Sequence, residues 1–156
     1  MVQPGSIVQE TAAEIDQGIA AAARDDVDHP ADGDSGGKMV DGLLQHAIDR
    51  KTSALAAVLR GHHFAINYLG RDARAIADMF AGKTATKGAA RFEPGRWGTL
   101  TTGAPVFNDA IGAVDCVLEK TIDHFATTVA IGRVVDVVAR GSGDPLIYFR
   151  GGFLND

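Results

Sequence analysis

Aromatic side chains bring the most apolar area to a small core, and in this chain they are confined to one part of it. All ten aromatics of the 156 residues lie between Phe64 and Phe153. Charge divides at nearly the same place. Residues 1–49 carry ten acids against two bases, a net of −8, whereas residues 50–156 carry a net of +3, giving −5 overall. Segments this different suggest two histories, and each is read separately.

Other features narrow the class. An acidic balance argues against a nucleic-acid or anionic-membrane partner, since both need a basic face. The single cysteine, Cys116, permits no internal disulfide and no cysteine zinc cluster, so nothing points to an oxidising compartment and a cytoplasmic protein is expected. No apolar run approaches the ~20 residues of a membrane span. The N-terminus lacks the basic-then-apolar order of a signal peptide.

In the first third, Ser6 and Gln9 form a capping box, followed by Val8, Ala12, Ile15, Ile19 and Ala22 at helical spacing. This predicts one helix with a narrow apolar stripe. Residues 25–38 read as an acidic linker rather than a calcium loop, because the terminal glutamate of such a loop is absent.

The remainder reads as strands with helices between them. Thr52 or Ser53 caps a helix that stops at Gly61, and residues 62–69 follow as a strand. A helix starting at Asp72 places Ala73, Ile76, Ala77 and Phe80 on one face and ends at Gly82. Residues 83–105 form a long ordered excursion carrying Phe92 and Trp97. Strands are predicted over 112–120, over 125–139 with a bulge or bend at Gly132, and over 146–149 after a Gly-Ser-Gly-Asp-Pro turn. This order fits an antiparallel β-barrel decorated by helices.

Several motifs carry no chemistry. Gly82-Lys83-Thr84 lacks the first glycine of a phosphate loop, where Ala77 stands instead. Gly141-Ser142-Gly143 lacks a third glycine and reads as a hairpin turn. His62 and His63, adjacent on a predicted strand, point to opposite faces, and no metal site is expected. Cys116, within an apolar strand, reads as a buried structural thiol. Two places are better. Asp49-Arg50-Lys51-Thr52-Ser53 gathers two cations and two hydroxyls at a helix start, where free N–H groups and the helix dipole favour a phosphate; the alternative is an ordinary cap. Asp123-His124 opens the long strand, where the imidazole either meets a ligand or is structurally hydrogen-bonded.

Taken in order, these pieces resemble the flavin reductase-like family of FMN-binding split barrels. The resemblance runs over residues 43–154: Asp49 to Leu55, Gly61 to Leu69, Ile76 to Gly82, Lys87 to Trp97, Gly103-Ala104-Pro105-Val106, Ala113 to Cys116, Asp123-His124 and Pro145 to Phe153. It implies a mainly β split barrel over 43–156 with helices, preceded by a divergent segment over 1–42. The family's opening strands, with their Gly-Met-Thr and Pro-Pro signatures, are not found in residues 1–42. The expectation is a barrel incomplete at its N-terminal strands, with a leader derived from a shifted reading frame or a replaced segment.

The resemblance implies an NAD(P)H-dependent flavin reductase that transfers hydride from nicotinamide to FMN, FAD or riboflavin. It further implies a homodimer and an oxygenase component that receives the reduced flavin. By the same resemblance, Lys51, Thr52 and Ser53 match the segment that holds the flavin phosphate, with Arg50 beside them among the cofactor-binding residues, Asn67 and Phe92 lie near the flavin, and His124 sits where nicotinamide approaches. His124 positions or polarises rather than attacks. Ile122 stands where the family has glycine, so a different local turn is expected. The rival expectation is a flavin-binding split-barrel module without turnover.

Overall fold

The computed structural model describes residues 42–140 and 143–154, together with the backbone of Ile19–Ala20. The elements are β1 (Ile19–Ala20), β2 (Leu43–Asp49), α1 (Ser53–Gly61), β3 (His63–Tyr68), α2 (Arg74–Phe80), β4 (Trp97–Thr99), β5 (Pro105–Phe107), β6 (Gly112–His124), β7 (Thr127–Ala139), β8 (Tyr148–Phe149) and β9 (Gly152–Phe153). Short 3-10 turns at Arg71–Ala73 and Gly88–Phe92 complete the set. Five strands form one antiparallel sheet in the order β1-β3-β6-β7-β2. The chain is mainly β with two helices, and its curled sheet is that of a split barrel. Among the described residues no helix is long and apolar enough to cross a membrane.

Local chemistry accounts for these elements. Thr52 caps α1: its hydroxyl accepts from the Leu55 N–H at 3.2 Å. At the other end His62 adopts φ 55°, and its N–H donates to the Val58 carbonyl. His62 is thus the cap rather than the first strand residue, and β3 begins at His63. The stripe Ala73, Ile76, Ala77 and Phe80 is buried as its spacing requires.

Phe64 and Ile66 face the main core with Leu55, Val58, Ile48, Cys116, Ala130 and Val134. Ala65 faces the opposite way and packs with Ala104, Val106 and Ala113. β3 is therefore covered on both sides. A third cluster joins α2 to Phe107 and Ala110, with Phe92 and Trp97 packed against it.

The α-helix expected from Asp72 begins at Arg74, after the 3-10 turn, and further expectations change. Ile19 and Ala20 do not continue a helix; they form a two-residue strand on the edge of β3. The remainder of that predicted helix and the 25–38 linker lie outside the described residues. β2 is an element the sequence reading lacked, paired with β7 along its full length. Gly132 is not itself bulged. It pairs with Leu118, and the ladder shifts at Glu119 on the facing strand. The strand expected over 146–149 shrinks to Tyr148–Phe149, paired with Gly152–Phe153.

Candidate functional site

β2 ends at Asp49, and the next three residues turn the chain into α1. Asp49 organises that turn. Its carboxylate accepts from the Lys51 N–H at 2.7 Å, and its carbonyl accepts from the Thr52 hydroxyl at 2.8 Å and the Thr52 N–H at 3.1 Å. The Thr52 hydroxyl is thus engaged on both sides. Lys51 and Ser53 are exposed. The first N–H groups of α1 have no acceptor within the helix other than the Thr52 cap on Leu55.

The same end of the sheet carries the β6–β7 hairpin. The Arg50 N–H donates to the Ala126 carbonyl at 2.9 Å, and the Arg50 guanidinium lies 3.4 Å from Asp123 Oδ2. Asp123 Oδ1 accepts from the Thr128 hydroxyl at 2.7 Å. His124 ends β6, its carbonyl takes the Thr127 hydroxyl at 3.0 Å, and its ring meets that of Phe125 at 4.5 Å. The turn's left-handed residue is Phe125, at φ 49°. Ile122 stays in the regular ladder opposite Val129, so the β-branched residue in the glycine position meets no backbone conflict.

The structure thus brings Arg50, Lys51, Thr52, Ser53 and His124 to one end of the sheet. Asn67 does not join them. It pairs with Ala113, near the far end of the 13-residue β6, roughly 35 Å along the strand from His124. Asn67 is buried, with its carbonyl oxygen accepting from the Phe107 N–H at 2.8 Å and its amide donating to the Pro105 carbonyl at 3.4 Å. It stitches β3 to β5. Phe92 belongs to the aromatic cluster of α2, with its ring 5.2 Å from Phe80 and 5.0 Å from Trp97.

Two clefts of about 580 Å3 lie elsewhere. One is lined by Leu44 and His46 of β2, Asn67 and Tyr68 of β3, and Ile147 and Tyr148 beside the last hairpin. The other lies among Arg71, Asp72, Phe107, Asp109, Ile111 and Asp144. Both fall within the size range of ligand pockets. Their walls come from segments far apart in sequence, which no local motif announces.

The sequence reading passed over the buried Asp115, which is fully enclosed and accepts from the Thr102 N–H at 2.7 Å and the Thr102 hydroxyl at 2.5 Å. Burial pushes its carboxyl pKa up, against the pull of those two hydrogen bonds. Cys116 is the buried thiol expected, its pKa pushed up to about 12 by burial and then by Asp115. Lys83 is occupied by Asp78 at 2.9 Å and stands over the rings of Tyr148 and Phe153, which suits no phosphate loop.

Known proteins share this architecture. The flavin reductase like domain family matches residues 41–155. The protein named FMN reductase (NADH) RutF of Agrobacterium fabrum is 33% identical over 103 residues, covering 66% of this chain and 58% of its own length. Its namesake from Bradyrhizobium diazoefficiens is 35% identical over 102 residues, covering 65% and 56%. The chain therefore spans a little over half the length of these curated relatives. Among solved structures, flavin reductase PheA2 in its native state superposes with a TM-score of 0.64 at 25% identity, covering 72% of this chain and 69% of that one. BorF, the flavin reductase component of a bacterial two-component tryptophan halogenase, shares the fold with a TM-score of 0.67 at 21% identity over 75% and 76% of the two chains.

Proposed function

Because the chain belongs to the flavin reductase like domain family, we propose that it is an NAD(P)H-dependent flavin reductase, with FMN and NADH as the preferred pair. The curated relatives named FMN reductase (NADH) support that pair. The observation that carries the reading is the convergence at one end of the sheet. The turn into α1 meets the hairpin of His124 through the Arg50 contacts to Ala126 and Asp123.

The residues fit a flavin phosphate. Lys51 and Ser53 are exposed to solvent, a cation and a hydroxyl at the start of the nine-residue α1, whose first N–H groups favour an anion. Lys51 and Ser53 are assigned the phosphate. Thr52 contributes by setting the helix start, since its hydroxyl is closed within the fold. Arg50 contributes charge tempered by Asp123. A bound flavin supplies the electron sink for hydride from nicotinamide. The protein's part is to hold the two rings in register and keep water from between them. His124 is assigned to orient the nicotinamide, with no proton transfer required of it.

Asn67 and Phe92 are assigned to the walls of a flavin site completed by a second copy of the chain, Asn67 through its β3–β5 stitch and not through a free polar atom. The separation of Asn67 from His124 along β6 supports that homodimer. The working protein is placed in the cytoplasm, passing reduced flavin to an oxygenase component. The 1–42 segment is proposed as a divergent leader to the 43–156 domain. One experiment tests the activity. The purified full chain is mixed with NADH and catalytic FMN, and loss of NADH absorbance is followed. Flavin-dependent oxidation is expected. Flavin binding without oxidation selects a non-catalytic module instead, and neither binding nor oxidation refutes both.

A further inference from the structure

We infer that Asp123 is a positioning residue that locks the β6–β7 hairpin, and so His124, onto the start of α1. The inference rests on the reading of the site given above. Each oxygen of Asp123 has its own task. Oδ1 accepts from the hydroxyl of Thr128, its direct cross-strand partner, at 2.7 Å, and Oδ2 faces the Arg50 guanidinium at 3.4 Å. Thr128 is only 3% exposed, so the first contact anchors the carboxylate to a fixed part of β7. The second contact reaches across to the residue before Lys51. The backbone completes the joint, with the Arg50 N–H on the Ala126 carbonyl and Asp49 in register with Thr127.

His124 needs such a joint. Among the described residues its side chain has a ring contact with Phe125, itself 88% exposed, and no hydrogen bond. The position of the imidazole therefore follows the hairpin backbone, and Asp123 is the neighbour that ties that backbone to both β7 and the α1 turn. An ion pair this exposed adds little to global stability. Its consequence is local order where the two substrates are proposed to meet.

The test compares D123N, T128V and the charge swap R50D/D123R in the full chain. Asn at 123 removes the charge but keeps the size. Val at 128 keeps the charge and removes the anchor. Hydrogen exchange of the Arg50 amide is expected to speed up several-fold in both single-purpose variants, with the thermal midpoint unchanged. The KM for NADH is expected to rise about three- to fivefold in both, the scale of an exposed ion pair, with kcat held. The charge swap should recover part of that loss. A purely electrostatic role would move D123N alone, so a T128V variant with wild-type KM and wild-type Arg50 exchange overturns the inference. Faster exchange with an unmoved KM also overturns it, leaving a structural contact only. If the unmodified chain oxidises no NADH, the reading of the site fails and the substrate role falls with it. Arg50 exchange then decides the mechanical joint by itself.

Discussion

Gly132 offers the sharpest test of the packing. It sits mid-sheet, paired with Leu118 on one side and Leu44 on the other. A Cβ built there would stand 2.6 Å from Phe64 Cζ, 2.8 Å from Phe64 Cε1 and 2.8 Å from Cys116 Cβ. Phe64 and Cys116 are both fully buried. The ring has nowhere to move without displacing the main core, and Cys116 Cβ is fixed by its own backbone. Overpacking of this kind costs about 1–3 kcal/mol. Alanine returns about 0.5–1 kcal/mol through its smaller loss of backbone freedom. Gly132→Ala should therefore destabilise the fold by about 1–2 kcal/mol, lowering the melting midpoint by roughly 2–8 °C for a chain of this size. Denaturant titration followed by Trp97 fluorescence measures it. Phe64→Leu removes the two ring atoms that the new methyl meets but leaves Cys116 in place. The cost of Gly132→Ala in that background should fall by roughly 0.5–1 kcal/mol without vanishing. An unchanged midpoint in the single variant, or strict additivity in the double, refutes this account of why glycine stands there.

Lys51→Ala should weaken FMN much more than riboflavin in a fluorescence titration, since only FMN carries the phosphate; equal losses count against the assignment. His124→Ala should raise the KM for NADH more than it weakens flavin affinity, and the reverse pattern would give the imidazole to the flavin. Asn67→Leu leaves the buried Phe107 N–H without its acceptor, at a cost of about 1–3 kcal/mol; calorimetry showing no loss would mean that the β3–β5 stitch is dispensable. Burial holds the Asp115 pKa above its ordinary 3.8, so the folded state keeps a proton that the unfolded chain has released. Stability due to this group is greatest at low pH and falls as pH rises from 3.8 through the raised value, so the stability advantage of wild type over Asp115→Asn should shrink over that window; a constant or growing difference rules this out.

What the sequence revealed was whatever depends on neighbours in the chain. The Thr52 cap reaches three residues ahead, and the Ala73, Ile76, Ala77 and Phe80 stripe lies within a few helical turns. β2 escaped because only Leu44, His46 and Ile48 alternate inward, while Leu43 is largely exposed and the acidic leader adjoins it. The end of β6 escaped for a related reason. Thr121 to His124 is mostly exposed, so pairing with β7 holds it as strand with little apolar signal. Asp115 was invisible because an aspartate predicts exposure, and the Thr102 that satisfies it arrives from a separate turn. Gly132 was recognised as special, but the irregularity lies on the facing strand at Glu119 and the glycine itself is required by a close approach. A glycine in a strand marks a bulge or a close approach, and only the three-dimensional position of Phe64 reveals the second here.

The site residues show the same division between fold and ligand. Thr52 and Asn67 both match family positions, yet their polar atoms are already matched within the chain. A group whose partners are supplied by the fold gains little from a ligand, because it would have to give up bonds of equal worth. That leaves the exposed Lys51 and Ser53, and the first N–H groups of α1 that Thr52 does not cap. Nor does the +3 of residues 50–156 survive at this end of the sheet. Asp49 and Asp123 stand against Arg50 and Lys51, so the local balance is neutral. A phosphate held here must be held by short, directed contacts rather than by bulk attraction, and such contacts are screened little by salt. The preference for FMN over riboflavin should then persist at an ionic strength where long-range steering is lost. A preference that vanished on adding salt would return the explanation to net charge.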